Sequence, residues 1–216
     1  MNIEKIGVFH SPLAEKFGIP RQAGLAGSLE GWIELLGDYA RPEAVDGLDG
    51  FDYLWIIWGF SLNRTAPDKL KVRPPRLGGN ERVGVFASRS PFRPNPLGLS
   101  SVKILSVEPG KIRVAGADIA DGTPVYDIKP YVTYADSHPE ARSGFVDENE
   151  FHRLEVLIPE KFKSMNLNFP ALEELLSIDP RPAYQDSDEK NYGLLFEGHN
   201  VRFTVSGNKL SVTDLE

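Results

Sequence analysis

Stretches rich in Val, Ile and aromatic residues alternate with Gly, Pro, Asp and Asn over the first half of the chain. This pattern is typical of short strands joined by turns. The predicted strands cover 6–10, 29–36, 51–60, 82–88, 99–108 and 111–118. No segment of ordinary helical length shows helical periodicity before residue 130. Consecutive strands without crossover helices favour an antiparallel sheet that closes into a barrel, so we predict a mainly β fold.

The pattern changes after about residue 137, where a polar and irregular segment begins. The later segments are predicted as a strand, two short helices and a closing hairpin, at 151–159, 159–166, 169–178 and 200–215. We therefore predict two domains, a β-barrel at 1–137 and a smaller α+β C-terminal domain at 138–216.

Composition excludes several classes of site. The 216 residues contain no cysteine, which rules out disulfides, cysteine-ligated zinc and thiol nucleophiles. The four histidines are scattered without metal-ligand spacing, so no metal site is expected. The start of the chain lacks the apolar segment of a signal peptide, and the longest apolar run, 53–60, is too short to cross a bilayer. We expect a soluble cytoplasmic protein.

Charge is unevenly distributed along the chain. The net charge of −7 argues against a nucleic-acid partner. Residues 64–93, however, contain eight Lys/Arg and two Asp/Glu, whereas residues 135–216 contain eight Lys/Arg and sixteen Asp/Glu. The basic segment could meet an anionic partner, or it could be a solvated loop whose charges pair with nearby acids.

Three segments combine polar side chains with prolines and glycines: PRQAG at 20–24, the basic segment at 73–96 and DGTPVYDIKPY at 121–131. Neither a phosphate-binding GxxxxGK[ST] loop nor a GxSxG nucleophile elbow is present. Stiff polar loops at the rim of a barrel are typical of a small-molecule site. Asp127 and Lys129 would share one face of a strand, which is unusual for charges unless they meet a partner or a site.

Five ordered motifs, PRQAG, RPPRLGGN, GVFASRSPFRPNPLGLS, DGTPVYDIKPYV and DPRPAYQ, resemble those of the tRNA methyltransferase O family, also described as TsaA-like proteins. The resemblance covers nearly the whole chain. It implies an S-adenosylmethionine-dependent methyltransferase that acts on the exocyclic N6 of N6-threonylcarbamoyladenosine next to the anticodon in tRNA. It also implies a single-sheeted antiparallel β-barrel, a tRNA anticodon stem-loop as partner, and a homodimer with the cofactor near the subunit interface.

The resemblance also implies roles for individual residues. The cofactor pocket is expected to contain Pro20, Arg21, Gln22, Ser61, Leu62, Arg89, Leu99, Asp121, Gly122 and Thr123. The target base is expected to meet Asp127, Lys129 and Tyr131, with Asp127 as the acceptor of the amine proton. Contacts with RNA are expected from Arg73, Arg76, Arg82, Arg93, Arg181 and Tyr184.

Some of these roles have structural alternatives. Salt bridges between subunits, instead of phosphate contacts, could be formed by Arg73, Arg76, Arg82 and Arg93. For Arg181 and Tyr184, the alternative is that Asp179-Pro180 merely ends a helix and Tyr184 packs against the barrel. Relatives carry His-Gln where this chain has Ser61-Leu62, so a side-chain contact made there in relatives need not be made here.

Two other functions are compatible with the same residues. The barrel could bind S-adenosylmethionine or RNA without catalysis, and a carboxylate such as Asp127 would then have no chemical role. It could also methylate a small adenine-like metabolite, and activity would then depend little on salt, since no phosphate backbone is bound.

Overall fold

The computed structural model describes residues 2–62, 70–74, 81–148, 152–181 and 190–216. The first eight strands are β1 (Gly7–His10), β2 (Glu30–Leu35), β3 (Tyr53–Gly59), β4 (Lys71–Val72), β5 (Val83–Gly84), β6 (Leu97–Glu108), β7 (Lys111–Ala115) and β8 (Thr123–Pro130). The later elements are helix α1 (Thr133–Asp136), β9 (Glu155–Leu157), helix α2 (Phe169–Ser177), β10 (Tyr192–Phe196), β11 (His199–Ser206) and β12 (Lys209–Leu215).

Six of these strands form a closed barrel in the order β1-β2-β7-β6-β3-β8. Every neighbouring pair is antiparallel. Buried and exposed residues alternate along β2 and β3, and Leu54, Ile56 and Trp58 of β3 point into the barrel core. The predicted antiparallel β-barrel is therefore confirmed.

A second, four-stranded sheet has the order β10-β11-β12-β9, in which β9 is parallel to β12. Helix α2 lies against it and buries Leu172, Leu175 and Leu176. The Asn168 side chain caps α2 by accepting a hydrogen bond from the backbone N–H of Ala171 at 3.1 Å. This mixed sheet with its helix confirms the smaller α+β unit.

The core of the second sheet also contains residues from the beginning of the chain. Leu13, Ala26 and Leu29, which lie between β1 and β2, are almost completely buried among the side chains of α2 and the second sheet. The segment that links the first two barrel strands is thus packed by the C-terminal part of the protein.

A β-bulge in β8 decides which face its charged residues occupy. Trp58 pairs with Val125 but Ile57 pairs with Asp127, so Tyr126 is the extra residue. Regular alternation from the buried Val125 would turn Asp127 into the barrel. Because of the bulge, Asp127 lies on the outer face beside Ile57.

Two predicted elements are wrong. The segment predicted as a strand at 82–88 contains only the two-residue β5, followed by a 3-10 turn over Val85–Ala87 in which Phe86 is 78% exposed. The segment predicted as a helix at 159–166 contains only a 3-10 turn over Glu160–Phe162. Strand β10 was not predicted.

Candidate cofactor site at one end of the barrel

The antiparallel topology brings the three motif segments to the same end of the barrel. Gly59, the last residue of β3, pairs with Leu97, the first residue of β6, and β8 begins next to them at Thr123. The PRQAG segment reaches this end because the backbone N–H of Gly24 donates to the carbonyl of Gly116 at 2.8 Å, just after β7. The strand ends and loops that meet here carry most of the residues expected to bind the cofactor.

Ser61 and Thr123 lie side by side at this end, with 3.4 Å between their hydroxyl oxygens. Thr123 is buried, whereas Leu62 is exposed. The turn before Thr123 is bonded to the end of β1 and to the residue that follows it: the N–H of Gly122 donates to the carbonyl of Phe9, and Asp121 Oδ1 accepts from the N–H of Ser11 at 3.1 Å. Gly122 has φ of 73°, and no atom lies within 4 Å of the side-chain position it leaves open.

Arg89 connects two of the motif segments directly. Its guanidinium donates a hydrogen bond to the side-chain oxygen of Gln22. This contact joins the PRQAG segment to the loop that follows β5. Arg21 of the same motif turns away and donates to the backbone carbonyl of Arg181 at 3.0 Å.

The proline-rich loop after Arg89 is held by its own polar side chains. Ser88 and Ser90 accept hydrogen bonds from backbone N–H groups two residues further on, those of Ser90 and Phe92. The Arg93 guanidinium folds back and donates to the carbonyl of Ser88 at 3.1 Å. The Arg, Ser and Pro residues of this loop therefore stiffen a rim at the end of the barrel.

Asp118 is a residue of this site that the sequence did not identify. Ser100 Oγ donates to its carboxylate, and the Trp58 indole N–H donates to Ser100 Oγ at 2.9 Å. The backbone N–H of Ala23 also donates to Asp118, and the Arg89 charge lies near it. Burial raises the pKa of the Asp118 carboxyl above its ordinary value, while these donors and the Arg89 charge lower it. An Asp three residues before an Asp-Gly turn gives no sequence signal for such a role.

The residues expected to hold the base lie on the outer face of the barrel. Asp127 and Lys129 form an ion pair with 2.8 Å between Oδ2 and Nζ. The Tyr131 ring packs against Trp55 and Tyr53, with centroid distances of 5.7 and 6.3 Å.

Leu99 links this outer face to the end of the barrel. Leu99 pairs with Ile57, and Ile57 pairs with Asp127, so the three residues share one face across three strands. Two strand spacings separate Leu99 from Asp127 by about 10 Å. Asp127 also lies four residues along β8 from Thr123, which is about 13 Å.

The residues expected to contact RNA fall into four groups, one of which is Arg93, bonded to the Ser88 carbonyl in the proline-rich loop. Arg73 and Arg82 are exposed and each adjoins one end of the Val72–Val83 pair, so they extend from the same end of the small β4–β5 hairpin. Arg181 forms a bidentate ion pair with Asp179, in which Nε and Nη2 each donate to one carboxylate oxygen at 2.9 Å, and its side chain is only 10% exposed. Arg76 and Tyr184 lie outside the described residues.

A cleft of about 410 Å³ opens at the opposite end of the barrel. The cleft is lined mainly by apolar residues, including Leu48 and Phe51. Of the described residues expected to bind the cofactor, the base or RNA, only Asp127 lines this cleft. Within the described ranges, no group of three or more His, Asp or Glu side chains is placed to hold a metal ion. None of the described helices is long and apolar enough to cross a membrane.

Comparisons with known proteins agree with this architecture. Residues 8–137 match the model of the tRNA-methyltransferase O N-terminal domain, and residues 155–216 match that of the TrmO C-terminal domain. The chain is 39% identical over 227 residues to the tRNA (adenine(37)-N6)-methyltransferase of Escherichia coli strain K12, covering 99% of this chain and 97% of that protein. It is 40% identical over 203 residues to the putative S-adenosylmethionine-dependent methyltransferase RcsF of Pseudomonas aeruginosa, covering 89% of this chain and 87% of that protein.

Among solved structures, the crystal structure of TrmO from P. aeruginosa superposes with a TM-score of 0.83 at 31% identity. The match covers all of this chain and 96% of that one. Both parts of the chain therefore have counterparts in one known protein.

Proposed function

Because the chain belongs to the tRNA methyltransferase O family, we propose that it methylates the exocyclic N6 of N6-threonylcarbamoyladenosine next to the anticodon in tRNA, with S-adenosylmethionine as methyl donor. The observation that carries this proposal is the meeting of three of the family motifs, those that contain Gln22, Arg89 and Thr123, at one end of the barrel. There Arg89 bonds Gln22, and Ser61 lies against Thr123.

The chemistry of this set of residues suits S-adenosylmethionine. Arg89 supplies a cation for the carboxylate of the cofactor, and Asp121 supplies an anion for its ammonium or sulfonium group. Ser61, Thr123 and the open backbone at Gly122 supply small hydrogen-bonding groups for the ribose. When bound, the cofactor supplies a methyl group on a positively charged sulfur. Pro20 stiffens the loop that carries Arg21 and Gln22.

The outer face next to Leu99 supplies the groups for the target base. Methylation of an exocyclic N–H releases one proton, and the Asp127 carboxylate is the acceptor that we propose for it. Lys129 holds that carboxylate in place through the ion pair. Tyr131 and Trp55 offer aromatic faces on which a base extruded from the anticodon loop stacks.

The basic arginines after β4 and before β5 are proposed to contact the phosphates of the anticodon stem-loop. Arg73 and Arg82 are exposed and extend from one end of a hairpin, which suits two contacts along a phosphate backbone. Arg93 and Arg181 have intramolecular partners in this structure, so their contribution to RNA binding would require those bonds to be exchanged.

The proposed homodimer is supported by the apolar character of the same outer face. Leu99 is 57% exposed and lies beside Ile57, and Tyr53 is 44% exposed and lies next to Trp55 on the same face of β3. Exposed apolar patches of this kind are typical of protein interfaces. Since Leu99 is also among the proposed cofactor residues, this arrangement brings the cofactor close to the subunit boundary.

The test is nucleoside analysis by mass spectrometry after incubation with labelled S-adenosylmethionine and tRNA from a strain that lacks its own copy of the enzyme. We expect the labelled methyl group on threonylcarbamoyladenosine and none on tRNA that lacks this modification. Label on unmodified adenosine would overturn the proposed substrate. Cofactor binding without transfer to tRNA would favour a non-catalytic protein or a small-metabolite enzyme.

Asp127→Asn separates catalysis from binding. We expect the methylation rate to fall by about a hundredfold, because the proton acceptor is lost. Cofactor affinity, measured by calorimetry, should stay within about twofold, since Asp127 lies away from Arg89 and Thr123. Asp49→Asn, which removes an exposed carboxylate before β3, is the matched control and should change neither quantity.

A further inference from the structure

The segment between β1 and β2 carries Pro20, Arg21 and Gln22 but contains no helix or strand of its own. We refer to residues 11–29 as the cofactor loop. Several of its backbone groups bond the barrel side of the site, among them the N–H of Gly24 and the carbonyl of Leu13, which accepts from Asp121. A loop of this length without internal secondary structure takes its conformation from the surfaces that it contacts.

One of those surfaces belongs to the C-terminal unit, which we define as residues 152–181 and 190–216, with β9–β12 and α2. The carboxylate of Glu174 on α2 accepts two hydrogen bonds from Ser28, from the backbone N–H at 2.8 Å and from the hydroxyl at 3.0 Å. The side-chain amide of Asn168, at the start of α2, donates to the carbonyl of Ser28 at 3.1 Å. All three polar groups of Ser28 are therefore satisfied by residues of the C-terminal unit.

Two further polar contacts hold the middle of the loop. Arg153 donates to the carbonyl of Leu25 at 2.7 Å and, through its other nitrogen, to Ser177 of α2 at 2.8 Å. Arg21 donates to the carbonyl of Arg181, which follows α2. The loop is thus bonded to the C-terminal unit on both sides of Gln22.

Apolar packing fixes the same segment. Leu13, Ala26 and Leu29 of the cofactor loop are at most 2% exposed, and they lie in the core formed by α2 and the second sheet. Burial of this extent on both sides of residues 20–24 anchors the loop to the C-terminal unit, while the N–H groups of Ala23 and Gly24 bond the barrel side of the site. Small displacements of the anchors would move Gln22 relative to Arg89.

We propose that the C-terminal unit positions the cofactor loop, and that Glu174 is a positioning residue for S-adenosylmethionine, acting through Ser28. This inference rests on the proposed function, because it takes Pro20, Arg21 and Gln22 to belong to the cofactor site. Glu174 itself does not touch that site. Glu174 holds Ser28 and, through the five residues 23–27, fixes the position of Gln22 against the Arg89 guanidinium.

The experiment measures S-adenosylmethionine affinity by calorimetry in the absence of tRNA. Glu174→Ala should weaken cofactor binding by about tenfold, because two charge-assisted hydrogen bonds to the loop are lost. The matched control is Glu173→Ala, which removes the exposed neighbouring carboxylate on the same helix and should leave the affinity unchanged. Ser28→Ala should weaken binding too, and the double variant should be no weaker than Glu174→Ala alone.

Each outcome has a distinct meaning. If the wild-type protein does not bind S-adenosylmethionine, the proposed function falls and this inference with it. If the wild type binds and Glu174→Ala binds equally well, only the positioning role is overturned. Weaker tRNA binding with unchanged cofactor affinity would also overturn it, since α2 would then serve the RNA. Should Glu174→Ala fail to fold by circular dichroism, Ser28→Ala and Glu174→Gln carry the same comparison.

Discussion

Asp118 connects several segments of the proposed cofactor site, although the sequence pattern does not identify it as a site residue. Its carboxylate collects hydrogen bonds from Ser100 and from the N–H of Ala23, and it faces the charge of Arg89. These three residues come from three different segments of the proposed cofactor site. We therefore expect Asp118→Asn to weaken S-adenosylmethionine binding by about tenfold, because the charge that orients Arg89 is lost.

The pH dependence of cofactor binding tests the same residue. Burial is the largest influence on the Asp118 carboxyl and raises its pKa, so acidification should protonate it before an exposed aspartate. Protonation removes the charge that faces Arg89, so affinity should decrease on acidification in the wild type. Calorimetry over a pH series should show a smaller decrease for Asp118→Asn, and parallel curves would contradict this role. Folding stability has the opposite sign, since ionised Asp118 opposes folding above its raised pKa and acidification relieves that cost.

Asp127 marks the limit of prediction from the sequence at this scale. Strand periodicity correctly predicts that Asp127 and Lys129 share a face. The same periodicity, applied from Val125, would place both charges inside the barrel. The single-residue bulge at Tyr126 instead turns both charges to the outer face. The position of the bulge depends on how β8 pairs with β3, which the local sequence does not specify.

Among the strands, β6 supplies the close packing on which the polar site rests. A side chain at Gly98 would fall inside van der Waals contact of the Trp58 indole, whose N–H donates to Ser100. Gly98→Ala should therefore lower the free energy of unfolding by about 1–3 kcal/mol through overpacking. It should also weaken cofactor binding, because Trp58 and Ser100 support Asp118. Urea denaturation measures the first effect.

The control for this substitution is Gly84→Ala on β5. Gly84 is exposed, has a negative φ and has no atom within 4 Å of its side-chain position. The free energy of unfolding of the Gly84→Ala variant should therefore differ from that of the wild type by less than about 0.5 kcal/mol. Equal stability losses at the two glycines would show that close packing against Trp58 is not the cause.

Element prediction succeeded where apolar residues serve the core and failed where they do not. Strands β2, β3 and β7 were predicted because their alternating residues face the barrel interior. The segment at 82–88 has the same composition, yet Phe86 points into solvent and the chain makes a 3-10 turn. Composition cannot distinguish an apolar residue that packs inside from one that is exposed near a functional surface.

For the whole molecule, the exposed outer face of β3, β6 and β8 leads to a prediction about assembly. Leu99→Arg would place an unpaired charge in the proposed dimer interface, and it should raise the dimer dissociation constant by about a hundredfold or more. Sedimentation equilibrium at micromolar concentration should show a dimer for the wild type and a monomer for the variant. Leu157→Arg, at a comparably exposed leucine on β9, should remain a dimer. A wild-type monomer, or a dimeric Leu99→Arg variant, would contradict an interface on this face.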